Sequence, residues 1–225
     1  MSSLLKARRL AASILSVVVA VTVLSGCTAT ALQSQYENGD NKGYISGTGV
    51  TEIKPADRKD PVSFSGTTDQ GTSFSTADHA GDVIVVNFWY AGCPPCRLEA
   101  KSLQKLNVQF EGKGVDFVGV NTRDDKASAA SYDKTFGVTY PSILDASKGR
   151  VQLAFSGTYR PNATPTTIIL DKQGRVAARI EGPVNDQPST VSTLIDAARG
   201  ERAPSAEGAA VPGKARHAST AEGGS

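Results

Sequence analysis

Histidine is scarce in this sequence: 225 residues hold two of them, beside three cysteines, one tryptophan and one methionine. The shortage limits metal chemistry, because a structural zinc takes four ligands, usually Cys and His. Apart from a close pair at Cys93 and Cys96, only Cys27, His79 and His217 are of those types. His217 falls in a stretch with little to bury and His79 reads as a loop residue before an apolar run, so no metal is expected. There is no basic patch, arginine-rich helix or interleaving of aromatic and basic residues, which argues against a nucleic-acid partner. The apolar run Ile14–Leu24, broken by Ser16 and Thr22, falls short of the roughly 18 residues a membrane span requires. No internal repeat is visible.

That short run has another use. Lys6, Arg8 and Arg9 precede it and Leu24-Ser25-Gly26-Cys27 follows it. A charged start, a short apolar middle and a small-residue cleavage site read as a signal peptide over residues 1–26. The Arg8-Arg9 pair matches a twin-arginine signal poorly, and two basic residues are normal in any signal peptide. Without the three basic residues, 24 basic against 22 acidic side chains become 21 against 22, a nearly neutral mature chain. An exported chain meets an oxidising compartment, where paired cysteines are read first as disulfide chemistry.

Composition divides the rest. Residues 27–60, rich in Gly, Ser, Thr, Asn and charge, suit a flexible linker. Residues 201–225, rich in Ala, Gly, Ser, Pro and Glu, suit a disordered tail. Between them, residues 61–200 have the size of one domain with one core.

Within that domain the elements alternate. Val62–Phe64 and Thr72–Phe74 flank the turn-forming Gly66–Gly71 as a hairpin. Val83–Phe88 and Val115–Asn121 are apolar, β-branched runs of the kind covered on both faces of a sheet. Leu98, Leu103, Leu106 and Phe110 recur at helical spacing over Arg97–Phe110, and Gly112 and Gly114 stop that helix. A second helix is expected over Ala127–Phe136, a short one over Lys148–Phe155, and a closing one over Pro188–Arg199. Thr166–Leu170 and Val176–Ile180 read as paired strands. The pattern implies an α/β fold, a central mixed β-sheet with helices on both faces and an N-terminal β-hairpin.

Cys93 and Cys96 could be a staple, part of a metal site or a redox couple. A staple closing so short a loop removes little entropy from the unfolded chain, and a metal site lacks ligands. The redox reading uses every neighbour. At the start of a helix, free N–H groups favour a thiolate on Cys93, and in Cys-x-x-Cys settings this brings a thiol pKa from about 8.5 to roughly 3.5–7.5. Pro94 and Pro95, with no N–H, suit the first helical turn. Cys93 is then the nucleophile, and Cys96, one turn in, the resolving thiol.

Phe88-Trp89-x-x-x-Cys93-Pro94-Pro95-Cys96, followed by Arg97-x-Glu99 and, downstream, by Thr164-Pro165-Thr166, resembles the thioredoxin superfamily. In detail it is similar to the exported TlpA/ResA/CcmG (DsbE)-type thiol-disulfide oxidoreductases over about residues 61–199. Val118–Asn121, Tyr140–Asp145 and Ala163–Asp171 share in the resemblance. It implies a thioredoxin fold, a cis peptide before Pro165 packed beside the cysteines, and a substrate segment received by Thr164, Pro165, Trp89, Pro94 and Pro95. The acidic residue that cytosolic thioredoxins bury would fall at Asn87. Glu99 matches an active-site glutamate of the ResA group and takes either that role, as proton acceptor, or that of a solvated helix carboxylate. Gly92 stands where the family has an aromatic residue, which is expected to leave Cys93 more accessible. Leu24-Ser25-Gly26-Cys27 resembles the lipobox of bacterial lipoproteins, implying lipid attachment at Cys27.

The resemblance implies an extracytoplasmic, membrane-anchored reductant of protein disulfides. It would act for instance on apocytochrome c, draw electrons from a membrane thiol carrier of the CcdA/DsbD type, and need no cofactor. An oxidant or isomerase for exported proteins, and a non-enzymatic binding module on the same scaffold, are the alternatives.

Overall fold

The structure, a computed structural model, describes residues 49–157 and 159–201. The expected signal peptide, Cys27 and its lipobox, His217 and the tail from residue 202 lie outside the described residues.

The chain forms β1 (Val50–Glu52), a hairpin of β2 (Ser65–Thr67) and β3 (Ser73–Ser75), then β4 (Val83–Trp89), α1 (Pro94–Phe110) and β5 (Val115–Asn121). It continues through α2 (Lys126–Phe136), β6 (Ser142–Leu144), α3 (Arg150–Ala154), β7 (Thr166–Leu170), β8 (Val176–Glu181) and α4 (Pro188–Gly200). Six strands make one mixed sheet in the order β1-β8-β7-β4-β5-β6. At its centre β4 pairs parallel with β5, Val83 opposite Val115 through Trp89 opposite Asn121, and antiparallel with β7. Every residue of β4 is buried, as expected of a strand covered on both faces, and Asn87 is the one polar side chain in it.

Alternation along the strands assigns the two faces. Val83 and Val85 join Phe117 and Ile169 in a core closed by Leu103, Leu106 and Phe110 of α1 and Val191 and Ile195 of α4. Ile84, Val86 and Phe88 join Val118, Val120 and Ile168 in a second core, closed by Phe64 and Phe74 of the hairpin segment and by Val151 and Phe155 around α3. Helices therefore flank both faces, although on the second the hairpin shares the cover with the single short helix. Fully burying a side chain the size of Phe155 contributes about 1.5–3 kcal/mol. α2 is capped at its start by the Asp125 carboxylate, which accepts the Ser128 N–H at 2.8 Å, and stops at Gly137, whose φ of 71° favours glycine. No described helix is long and apolar enough to cross a membrane.

Two expectations need correction. The linker does not run to residue 60: β1 pairs antiparallel with β8, and the buried Ile53 donates its N–H to Ala177 O at 2.8 Å. Arg58 reaches Asp171 at 2.9 Å with both side chains almost fully buried, and bonds to Glu201 as well. Composition misled here because within that polar segment only Val50 and Ile53 carry the apolar packing. The hairpin is also shorter and later than expected. The Thr68 N–H donates to Thr72 O and Gly71 N–H to Thr68 O, a tight turn that pairs Ser65 with Ser75 and turns Phe64 and Phe74 inward instead. β6 was not expected as a strand, being three residues behind Pro141.

Candidate active site

Strand β4 ends at Trp89, and after four residues the chain enters α1. Cys93 is the residue before the helix, and Pro94 and Pro95 fill its first two positions. Neither proline has an N–H to give, so among the described hydrogen bonds one reaches the Cys93 sulfur, from the Cys96 N–H at 3.2 Å. Several free N–H groups were expected there; the prolines reduce them to that of the third helical residue. Cys93 and Cys96 form a disulfide, their Cα atoms 5.2 Å apart.

The Thr164–Pro165 peptide is cis and stands against the pair, with the Thr164 carbonyl oxygen 3.7 Å from Cys93 Sγ. Pro165 is buried, while Pro94 is exposed and Pro95 and Thr164 are half-buried. The open position expected of Cys93 does not occur. The residue is 1 % exposed, because Tyr90 and Ala91 pack against the cluster holding it and Thr164 covers its sulfur. Gly92 itself is exposed, and a Cβ there would meet the Tyr90 ring at an ordinary 3.5 Å. Trp89 is likewise no part of an open substrate face. At 2 % exposure its indole packs at a tilt of 32° against Tyr132, centroids 4.1 Å apart, and donates from Nε1 to Ser142 Oγ at 3.2 Å. Gly119 permits that bond, since a Cβ there would lie 2.1 Å from Ser142 Oγ and 2.7 Å from Trp89 Nε1.

Glu99 is not solvated. One helical turn after Cys96 and on the same face of α1, it is 1 % exposed. Its two carboxyl oxygens accept from Asn87 Nδ2 at 2.8 Å and from the Val184 N–H at 3.0 Å. Burial pushes its pKa up to about 7, outweighing both hydrogen bonds, which favour the ionised form. Asn87, at the position expected of a buried acid, serves instead as a donor that holds the carboxyl arriving from the helix, and also donates to Thr167 Oγ1 at 3.1 Å. A group titrating near neutral pH at this place can take and return a proton.

Sequence reasoning missed Tyr132. It sits on the inner face of α2, buried between Trp89 and Phe136, and its hydroxyl donates to Cys96 O at 2.7 Å. The signal was available in the Ala129, Tyr132, Phe136 spacing of α2, but nothing in that spacing says which carbonyl the hydroxyl meets. Burial pushes the tyrosine pKa up, so the hydroxyl remains a donor. Beside it, Asp133 is pushed up to about 8 by burial and by the neighbouring Asp69 carboxyl. A groove of about 440 Å³ runs between the start of α1 and α2, lined by Ala91, Arg97, Ser128, Ser131, Tyr132 and Phe136. Arg97 lies 5.4 Å over the Phe136 ring and Arg123 4.3 Å over that of Tyr90.

Among the described residues, one group could ligate a metal: His79, Asp82 and Asp116, whose ligand atoms lie within 4.8 Å of one another. It is at the other end of β4 from the cysteines. His79 is more engaged than a plain loop residue, bonding Asp116 at 2.8 Å and stacking on Phe74.

Residues 54–195 match the family model described as Redoxin. This chain belongs to the Redoxin family. Among relatives, it is 28% identical over 118 residues to the thiol-disulfide oxidoreductase ResA of Geobacillus kaustophilus, an alignment covering 52% of this chain and 65% of that protein. The chain thus spans less than two thirds of that curated relative. Among solved structures, a DsbF homologue from Corynebacterium diphtheriae is 31% identical with a TM-score of 0.59, over 68% of this chain and 96% of that one. A secreted thiol-disulfide isomerase from Corynebacterium glutamicum is 28% identical with a TM-score of 0.58, over 70% and 95% of the two chains. The architecture of this Redoxin-family chain is the thioredoxin-like α/β fold expected of it.

Proposed function

We propose that the chain is a thiol-disulfide oxidoreductase that works outside the cytoplasm as a reductant of protein disulfides. The observation that carries this reading is the placement of the Cys93–Cys96 pair at the head of α1, between the Thr164–Pro165 turn and a buried Glu99. In the reduced protein the Cys93 thiolate attacks a substrate disulfide. A Cys93–substrate disulfide forms and one substrate sulfur leaves as a thiolate. Cys96 then loses its proton, with Glu99 as acceptor, and its thiolate attacks Cys93 Sγ. The Cys93–Cys96 disulfide re-forms and the second substrate thiolate departs, two electrons having passed to the substrate. Thr164, Pro165, Pro94 and Pro95 border the approach to Cys93 and would receive the substrate segment.

The sparse donor set at Cys93 supports the reducing direction. A strongly oxidising pair owes its potential to a stabilised reduced form. Here Pro95 removes one of the two N–H groups that a residue before a helix ordinarily receives, so the thiolate gains less. Apocytochrome c as substrate, a membrane thiol carrier of the CcdA/DsbD type as electron donor, and a lipid on Cys27 complete the proposal. A second reading, exchange as an oxidant or isomerase, is favoured by the similarity to the secreted isomerase of C. glutamicum.

Trapping and potentiometry test both. Cys96→Ser protein should accumulate mixed disulfides through Cys93 with exported proteins, and wild type should reduce insulin; absence of both would leave the scaffold as a binding module. A potential near about −270 mV supports the reductant, and one near about −120 mV the oxidant.

A further inference from the structure

We infer that Tyr132 is a positioning residue for the nucleophile: through the Cys96 carbonyl its hydroxyl holds the one backbone N–H that addresses the Cys93 sulfur. The inference rests on the reading of Cys93 as the attacking thiolate.

Cys96 is gripped at both polar atoms of its backbone. Its N–H points to Cys93 Sγ at 3.2 Å, and its carbonyl accepts the Tyr132 hydroxyl at 2.7 Å. With Pro94 and Pro95 in the preceding positions, no other N–H of the first turn is placed to help, because the Arg97 N–H is bound to Cys93 O at 3.2 Å. Thiolate stabilisation at Cys93 therefore depends on where one residue's backbone sits. An ordinary helix start shares that duty among several free donors.

Tyr132 is itself fixed well enough to serve. Its ring is wedged between Trp89 at 4.1 Å and Phe136 at 4.6 Å, and Trp89 is pinned by its bond to Ser142 Oγ. The Ser142 N–H is in turn held by Asp69 at 2.9 Å. The hydroxyl thus carries the position of β6 and the hairpin tip to the head of α1. The charges acting on the Tyr132 hydroxyl are Glu99 and Arg97 on α1 and Asp133 on α2, and Asp124 accepts the Ala91 N–H ahead of the cysteines. Tyr132→Phe changes none of these charges and keeps the ring contacts, so it isolates the hydroxyl.

The test is alkylation of the reduced full-length chain by iodoacetamide across pH 4 to 10, which reads the Cys93 pKa whether or not the protein exchanges disulfides with substrates. In Tyr132→Phe the midpoint should rise by about half a unit to one unit, with the plateau rate at high pH unchanged. One unit below the wild-type midpoint, the rate should fall about three- to tenfold. Phe136→Leu loosens the same ring contacts without touching the hydrogen bond. It should lower thermal stability while leaving the midpoint in place. An unmoved midpoint in Tyr132→Phe, or an equal shift in Phe136→Leu, would overturn the inference, as would a wild-type Cys93 pKa at the free value of about 8.5. Failure of mixed-disulfide trapping with a lowered, Tyr132-dependent pKa would sink the substrate reading alone.

Discussion

Replacing Glu99 by glutamine keeps the side chain's shape and removes its proton, so it measures what burying that carboxyl costs. In the unfolded chain the group ionises at its ordinary 4.5, and in the fold at about 7. Between those values the folded protein holds a proton that the unfolded chain has lost. Stability from this group is therefore fully present below about pH 4.5, declines as pH rises, and is gone above about pH 7. A shift of this size corresponds to about 3 kcal/mol, at about 1.4 kcal/mol per unit. The glutamine carries a separate, constant cost: its amide NH₂ must face either Asn87 Nδ2 or the Val184 N–H, both donors, for about 1–3 kcal/mol. Urea unfolding of the oxidised full-length protein at intervals from pH 4.5 to 8.5, for wild type and Glu99→Gln, separates the two costs. The wild-type advantage should shrink by about 3 kcal/mol across the range. Other titrating groups, Asp133 included, cancel in the difference because both proteins carry them. A gap that stays constant to within about 1 kcal/mol would refute the argument that burial governs this carboxyl.

Two further outcomes follow from the packing. Gly119→Ala drives a methyl group into Ser142 Oγ and Trp89 Nε1, and should cost about 1–3 kcal/mol. Trp89 is the only tryptophan, so red-shifted fluorescence should accompany the lowered urea midpoint; unchanged emission and midpoint would count against the close approach. Arg58→Ala should cost about 1.5–3 kcal/mol by withdrawing a charged hydrogen bond from the buried Asp171, whereas an unaltered midpoint would return residues 50–60 to the status of a linker.

What could be read from the sequence depended on how local its cause is. β4, β5 and β7 announce themselves because a strand buried on both faces is mostly apolar, and α1 because Leu103, Leu106 and Phe110 recur at helical spacing, although Leu98 of the expected face is exposed. β1 and β6 are three residues each, and three residues cannot display a period. At the site, Cys93, Cys96 and Pro165 were legible from spacing and resemblance. The burial of Glu99 was not: it is decided by Val184 and Asn87, 85 and 12 residues away along the chain. Tyr132 escaped for the same reason, since its partner lies 36 residues upstream. Sequence patterns report which face a residue takes, whereas the chemistry here depends on which atom it meets.

The shortness of those two outer strands has a use of its own. A protein that handles other chains' cysteines meets them as extended, partly unfolded segments, and an open sheet border is an invitation for such segments to attach and stay. Here one border is β1 and the other is β6, each three residues long. The Thr68 backbone bridges to Ile143 on the β6 side, so the hairpin tip already occupies part of that margin. The sheet offers a visiting strand too few rungs for a lasting ladder. Under the proposed exchange, clients would be retained at the sulfur and released with it, a safeguard against co-aggregation with them.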